Sequence, residues 1–169
     1  MDTGITLNPQ RRADMVASGA WQDQTLLDYL DTTVARTPDR PAIIGYRVGD
    51  DTRTELSYRD LDQTVTRMAA GLAALGIQPG DVVACQLPNW WQTTALHLAC
   101  LRIGAILNPL MPIFRERELR FMLAHGEAKV ILVDPEFAEV IQAAVATWES
   151  KPLIIDVADP EFLGETQGI

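Results

Sequence analysis

Val82-Val83-Ala84-Cys85-Gln86-Leu87-Pro88-Asn89 is the stretch on which the fold turns. Its first six residues are mostly apolar without clean alternation, the pattern of a central strand covered on both faces. Pro88-Asn89 is a turn signal. From Asn89, whose side chain is expected to cap it, a helix should run through Arg102 and be closed by Gly104. The uncharged run from Val82 to Leu101 has about the 20 residues that a membrane span needs. Gln86, Pro88, Asn89, Gln92, Thr93, Thr94 and His97 would place too many polar groups in hydrocarbon, so the run is strand, turn and helix.

The same alternation continues downstream. Ala105-Ile106-Leu107 is a short strand ended by Asn108-Pro109, and Arg115 to His125 a helix ended by Gly126. Val130 to Val133 is the next strand. Pro135 presets the first turn of a helix from Phe137 to Trp148, with Val140, Ile141, Ala144 and Val145 inward, and Leu153-Ile154-Ile155 is a last strand.

Upstream, the turn Gln78-Pro79-Gly80-Asp81 follows a long helix that opens on Ser57 as N-cap with Asp60 in its first turn. Leu61, Val65, Met68, Leu72 and Leu75 recur at helical spacing, Ala69 and Ala73 widen the stripe, and Gly76 sits where a left-handed cap would end it. Ala42-Ile43-Ile44 and Thr54-Glu55-Leu56 flank Gly49-Asp50-Asp51, a hairpin with positive φ expected at the glycine. Thr25 to Arg36 is a helix with Leu26, Leu27, Leu30 and Val34 inward, stopped by Thr37-Pro38. Residues 1–24 form an N-terminal arm and residues 25–169 the α/β unit. Strands alternating with helices imply a mostly parallel sheet with helices on both faces. Ligands of such sheets bind outside the carboxyl ends of the strands, here residues 87–90, 108–112 and 134–136.

Composition excludes several function classes. Against 23 acidic residues stand 14 Lys and Arg, a formal charge of −9, the wrong sign for neutralising nucleic-acid phosphates. Cys85 and Cys100 are too few for a disulfide framework, and the first residues carry charges with no apolar leader core, so a cytoplasmic protein is expected. No nucleic acid and no membrane is expected as a partner; a homodimer is compatible with the composition.

Catalytic patterns are scarce. Neither Lys129 nor Lys151 follows a glycine-rich run, and Gly71, Gly76 and Gly80 fit helix and turn positions rather than a phosphate-binding fingerprint. His97 and Cys100 are spaced as metal ligands on one helix, but no further ligands are patterned nearby, and core packing is the preferred reading. Ser57 is a cap rather than a nucleophile, and His125 suits a helix C-terminus. Arg115, Arg117 and Arg120 could grip an anion; Glu116, spaced to pair with Arg120, and Glu118 favour a solvated charged face. Trp90 and Trp91 differ by about 100° on a helix, so at most one fills the core fully, and the other either packs or lines a groove.

The order of segments resembles the start of the adenylate-forming, acyl-CoA synthetase superfamily. The resemblance rests on Pro38-Asp39-Arg40-Pro41-Ala42-Ile43, on Leu56-Ser57-Tyr58-Arg59-Asp60-Leu61, and on Leu75-Gly76-Ile77-Gln78-Pro79-Gly80-Asp81-Val82-Val83 with Leu87-Pro88-Asn89. Arg102-Ile103-Gly104-Ala105, Asn108-Pro109 and Glu118-Leu119-Arg120-Phe121 through Ala128-Lys129-Val130 extend it. The runs Gln86-Leu87-Pro88-Asn89-Trp90-Trp91-Gln92 and Asn108 to Leu119 look nearest to cyclohexanecarboxylate-type CoA ligases.

The resemblance implies an N-terminal part of the adenylate-forming ligase fold, with residues 25–169 an incomplete subdomain of a larger adenylation domain. It further implies ATP, Mg2+ and CoA, and an alicyclic, aryl or medium-chain carboxylic acid that is converted to an acyl-adenylate and then to a thioester. The family's Ser/Thr/Gly-rich phosphate loop and its catalytic lysine have no counterpart in this sequence. No catalytic, cofactor-binding or metal residue is therefore assigned, and the chain alone is expected to be inactive. Two alternatives remain: a complete, non-catalytic α/β binding module, and an adenylation domain that loads a carrier-protein thiol.

Overall fold

The computed structural model describes residues 8–47 and 51–157. Helix α1 (Pro9–Ala17) is capped by the Asn8 side chain and buries no residue. Helix α2 (Leu26–Arg36) opens on a reciprocal cap: Thr25 accepts from the Asp28 amide, and the Asp28 carboxylate accepts from the Thr25 amide. On its inner face Leu30 is buried and Leu27 and Val34 are half-buried, but Leu26, the first helical residue, is exposed.

Strands β1 (Pro41–Arg47) and β2 (Thr52–Ser57) form the expected antiparallel hairpin. Gly49 and Asp50 lie outside the described residues; Asp51 takes the left-handed conformation, at φ 53°. Helix α3 (Tyr58–Ala74) follows directly, its first turn closed by the same reciprocal cap between Ser57 and Asp60. Leu61, Val65, Met68, Ala69 and Leu72 are buried, as the periodicity requires, together with Thr64. Leu75 and Ala73 do not join them. The helix stops at Ala74, so Leu75 is a cap residue that leaves the helical path, 47% exposed, and Gly76 turns the chain at φ 85°. Ala73 lies about 100° around from Leu72 and faces out.

The main sheet contains β3 (Val82–Gln86), β4 (Ile106–Pro109), β5 (Ala128–Val133) and β6 (Leu153–Asp156) in the order β4-β3-β5-β6, all parallel. Every residue of β3 is buried, which explains its unbroken apolar run. Helices α4 (Trp91–Arg102), α5 (Glu116–Gly126) and α6 (Ala138–Val145) connect the strands. Alternate residues feed two cores. Val83, Cys85, Val130 and Leu132 pack with Leu72 of α3 and Leu96 of α4; Ala84, Ile131 and Val133 pack with Leu119 and Leu123 of α5 and Ile141 of α6. The sheet thus carries helices on both faces. Arg102 fastens the first face, donating to Thr66 at 2.6 Å and to Asp62 at 2.9 Å, across from α4 to α3.

Four local expectations are corrected. Asn89 does not cap α4: the Pro88 carbonyl accepts from the Trp90 amide at 2.7 Å and the Thr93 hydroxyl at 3.0 Å, which delays the helix to Trp91 and leaves Trp90 as an N-cap without a side-chain bond. Gly126 is the last residue of α5 rather than its cap, and the left-handed turn comes one residue later, at Glu127 with φ 52°. The glycine instead admits Asn108, whose Nδ2 would lie 3.1 Å from a Cβ at position 126. Asn108-Pro109 belongs to β4 rather than ending it, and Pro109 is tolerated because β4 is an edge strand. The helix expected to Trp148 ends at Val145, and Pro135–Phe137 is a separate 3-10 turn capped by Asp134.

Candidate functional site

The strand order has a reversal. From β3 the chain moves through α4 to β4 on one side, then returns through α5 to β5 on the other side, and continues to β6. Helix α4 lies on one face and α5 and α6 on the opposite face. The connections leaving the carboxyl ends of β3 and β5 therefore diverge, and the crevice between them is where a parallel open sheet binds ligands. Two of the three segments expected there, 87–90 and 134–136, form its walls. The third, 108–112, leaves the neighbouring edge strand.

Gln86, the last residue of β3, organises this end of the sheet. It is fully buried, and its Nε2 donates to the carbonyls of Met111 at 3.0 Å and Phe114 at 3.2 Å. These two acceptors fix which side-chain atom is nitrogen. The Gln86 Oε1 then has no partner among the described residues, and neither has the Oε1 of Gln92, 8% exposed in the first turns of α4. Backbone bonds tighten the same region: the Leu110 amide donates to Cys85 at 2.7 Å, and the Asp134 amide to Gln86 at 3.3 Å. The loop so held presents Met111 and Ile113 to solvent, 54% and 69% exposed. Sequence reasoning gave Gln86 no role; an amide at the end of an otherwise apolar strand was the available signal, since a buried polar group must find partners.

The other candidates sort by their contacts. Arg120 pairs with Glu116 at 2.6 Å and donates to the Ala144 carbonyl, tying α5 to α6. Arg115 donates to the carbonyls of Pro112 and Phe114, and the Glu118 carboxylate accepts from the Arg115 amide. Two of the three arginines therefore bind this chain's own groups, as the solvated-face reading expects. Trp90 and Trp91 are both half-buried against the first core, and the Arg47 guanidinium lies 4.0 Å from the Trp90 ring centroid. Cys100 is buried, but His97 on the same helix is exposed, so the pair does not share an environment. His125 stacks on Phe121, one helical turn away, at 5.5 Å between centroids.

Titration is perturbed at buried thiols and at carboxylates held by caps and ion pairs. Burial pushes the Cys85 thiol up to about 11 and the Cys100 thiol to about 12, with mutual repulsion adding to the second. Asp81 is held below the ordinary carboxylate value by the Lys129 ammonium at 2.7 Å, then by the Gln78 amide. Asp60 is lowered by the Ser57 hydroxyl and amide of the cap. Among the described residues no three His, Cys, Asp or Glu are grouped to hold a metal ion, and no glycine-rich loop carries a lysine. The residues present do not fit a magnesium–nucleotide site, and no chemical step is assigned to them. No helix among the described residues is long and apolar enough to cross a membrane.

Comparison with known proteins agrees with this architecture. The family model described as AMP-binding enzyme matches residues 30–168. The chain is 37% identical over 139 residues to the medium-chain fatty-acid–CoA ligase of Escherichia coli K12, an alignment covering 82% of this chain and 24% of that protein. It is 41% identical over 125 residues to the salicyl-AMP ligase / salicyl-S-ArCP synthetase of Mycobacterium tuberculosis, covering 73% of this chain and 22% of the relative. The crystal structure of an acyl-CoA synthetase from Brucella canis superposes with a TM-score of 0.63 at 30% identity, over 70% of this chain and 21% of that one. The chain spans about a quarter of the length of the curated relatives it matches.

Proposed function

The chain belongs to the AMP-binding enzyme family, and from that premise we propose that it is the N-terminal part of an ATP-dependent acyl-CoA ligase. In this reading the protein joins a carboxylic acid to AMP with release of pyrophosphate, and a thiol then displaces AMP to give the thioester. A carboxylate resists thiols, whereas a mixed anhydride with AMP carries a good leaving group; the protein's part is positioning and charge stabilisation. The observation that carries the proposal is the family match across residues 30–168, supported by a parallel sheet of the right topology. Residues 25–169 would serve as scaffold, with the β3/β5 crevice as one wall of a larger cleft. ATP, Mg2+ and CoA would be held elsewhere in the longer protein.

The substrate we propose is an alicyclic, aryl or medium-chain acid. It is supported by the likeness of residues 86–92 and 108–119 to cyclohexanecarboxylate-type ligases and by relatives named for medium-chain and aromatic acids. A carrier-protein thiol in place of free CoA is the second reading, favoured by the relative named as a salicyl-S-ArCP synthetase. The protein is proposed to work in the cytoplasm, without nucleic acid or membrane as partner; self-association is addressed by light scattering.

The test begins with the native protein from its source, captured with an antibody against this segment. A mass several times 18.7 kDa is expected. The captured protein should then exchange pyrophosphate into ATP in the presence of cyclohexanecarboxylate, benzoate or octanoate. No exchange across the panel would overturn the ligase reading. Thioester formation on free CoA separates the two acceptors.

A further inference from the structure

Helix α1 lies on the surface without burying a residue, and all of it but Met15 is exposed. Its nine residues fall short of the roughly 12–15 at which a helix begins to hold by itself, so its apolar side chains lack the packing that most helices rely on. Two bonds fold the arm toward α2: the Trp21 amide donates to the Met15 carbonyl at 3.1 Å, and the Tyr29 hydroxyl donates to Gln22 Oε1 at 3.4 Å. Val16 and Trp21 of the arm and Leu26 and Tyr29 in the first turn of α2 are all exposed, Trp21 at 43% and Leu26 at 60%.

Charge is divided across this surface. Arg11 and Met15, like Arg12 and Val16, stand four residues apart, so cations and apolar groups share one face of α1. The helix's one carboxylate, Asp14, is engaged by the Gln10 amide at 2.9 Å, and neither guanidinium has a partner among the described residues. On the α2 side, Asp28 is held in the Thr25 cap and Asp31 pairs with Arg102 at 3.4 Å. That leaves Asp23, exposed between Trp21 and Leu26, without a partner among the described residues. In chain order the surface runs from unpaired cations through apolar groups to an unpaired carboxylate. Such a surface is complementary to a second copy turned through half a rotation, which is what a twofold interface requires.

We propose that this face joins two copies of the chain, α1 and Trp21 of each lying on the first turn of α2 in the other, with Arg11 and Arg12 against Asp23 of the partner subunit. The occupant is a second copy because both charges that must meet are present and unpaired on one chain. An anionic polymer or membrane drawn to the arginines would meet a chain of net charge −9. The interface uses no residue of the β3/β5 crevice and is independent of the ligase reading.

Sedimentation equilibrium of the full-length protein tests this, with circular dichroism to check that each variant is folded. A monomer–dimer equilibrium is expected, weakened at about 0.5 M salt because exposed ion pairs are screened. Trp21→Ala, which removes an aromatic anchor from both halves of the contact, should weaken it by about tenfold or more. Arg11→Glu/Arg12→Glu and Asp23→Lys, at exposed positions, should each be monomeric where the parent dimerises. Mixed in equal amounts, these two variants should dimerise again, since both half-contacts of the mixed pair then join opposite charges; roles confined to one chain would give no such rescue. A monomer at every concentration, as when further chain covers this face, a dimer indifferent to Trp21→Ala, or no dimer in the mixture would each overturn the proposal.

Discussion

Replacing Gln86 separates what its amide does from what its volume does. Two donated bonds, to Met111 and Phe114, are lost in any apolar variant, each worth about 1 kcal/mol net. Met111 is half-exposed, so its carbonyl can turn to water, whereas Phe114 is part of the second core's boundary. Against this loss, an apolar replacement removes an orphaned buried oxygen, a relief of about 1 kcal/mol. Gln86→Met, which fills the space, should therefore cost about 1 kcal/mol. Gln86→Ala adds a cavity of several heavy atoms and should cost about 3 kcal/mol. Urea unfolding of both variants measures the difference as a shift in midpoint at constant slope. Hydrogen exchange supplies the local test: the amides of Leu110 and Phe114, bonded to Cys85 and Met111, should exchange faster in Gln86→Met than in the parent. Equal destabilisation by Met and Ala, or unchanged exchange at those two amides, would refute the view that Gln86 holds the loop through its donors.

Further outcomes are expected elsewhere. Ser57→Ala should cost about 1 kcal/mol through loss of the α3 cap. Because the folded Asp60 lies below its ordinary 3.8, the stability it contributes is complete above that pH and lost as pH falls through the lower folded value, so the parent should lose stability below about pH 4 more steeply than Ser57→Ala. Gly104→Ala places a Cβ 3.2 Å from the Pro79 Cβ at φ 71° and should cost about 1–2 kcal/mol, read as a melting shift of about 2–4 °C per kcal/mol. Cys85 and Cys100, buried and raised to about 11 and 12, should resist a thiol reagent at pH 8 until denaturant is added; fast labelling of the native chain would contradict their burial.

The legible part of the fold was the part written in hydropathy. A strand buried on both faces needs an unbroken apolar run, and residues 82–86 are buried throughout; the cap at Ser57 was legible because hydroxyl and carboxylate sit three residues apart, whereas Thr25, which makes the same cap with Asp28, was read as the first residue of its helix. What the sequence hid depends on the path of the backbone. Whether Asn89 or Trp90 opens α4 is decided by which donors reach the Pro88 carbonyl, and Leu75 left its stripe because the helix ended one residue before it. Gly126 looked like a cap but serves the close approach of Asn108, a contact between elements distant in sequence. The alternation made the strand ends at 87–90, 108–112 and 134–136 legible, but which of them flank the reversal depends on the order β4-β3-β5-β6, which alternation alone does not determine. The organiser of the crevice was missed: Gln86 acquires meaning from carbonyls 25 and 28 residues away.

The division of β3 and β5 residues between two cores makes the sheet a bulkhead. Leu96 on one face and Ile141 on the other share no cluster, and sites without shared partners combine additively to within a few tenths of a kcal/mol. Each face can therefore drift in sequence on its own account, repacking one compartment while the other keeps its shape. Only the backbone between them is common property, and there a change in one compartment would be felt in both.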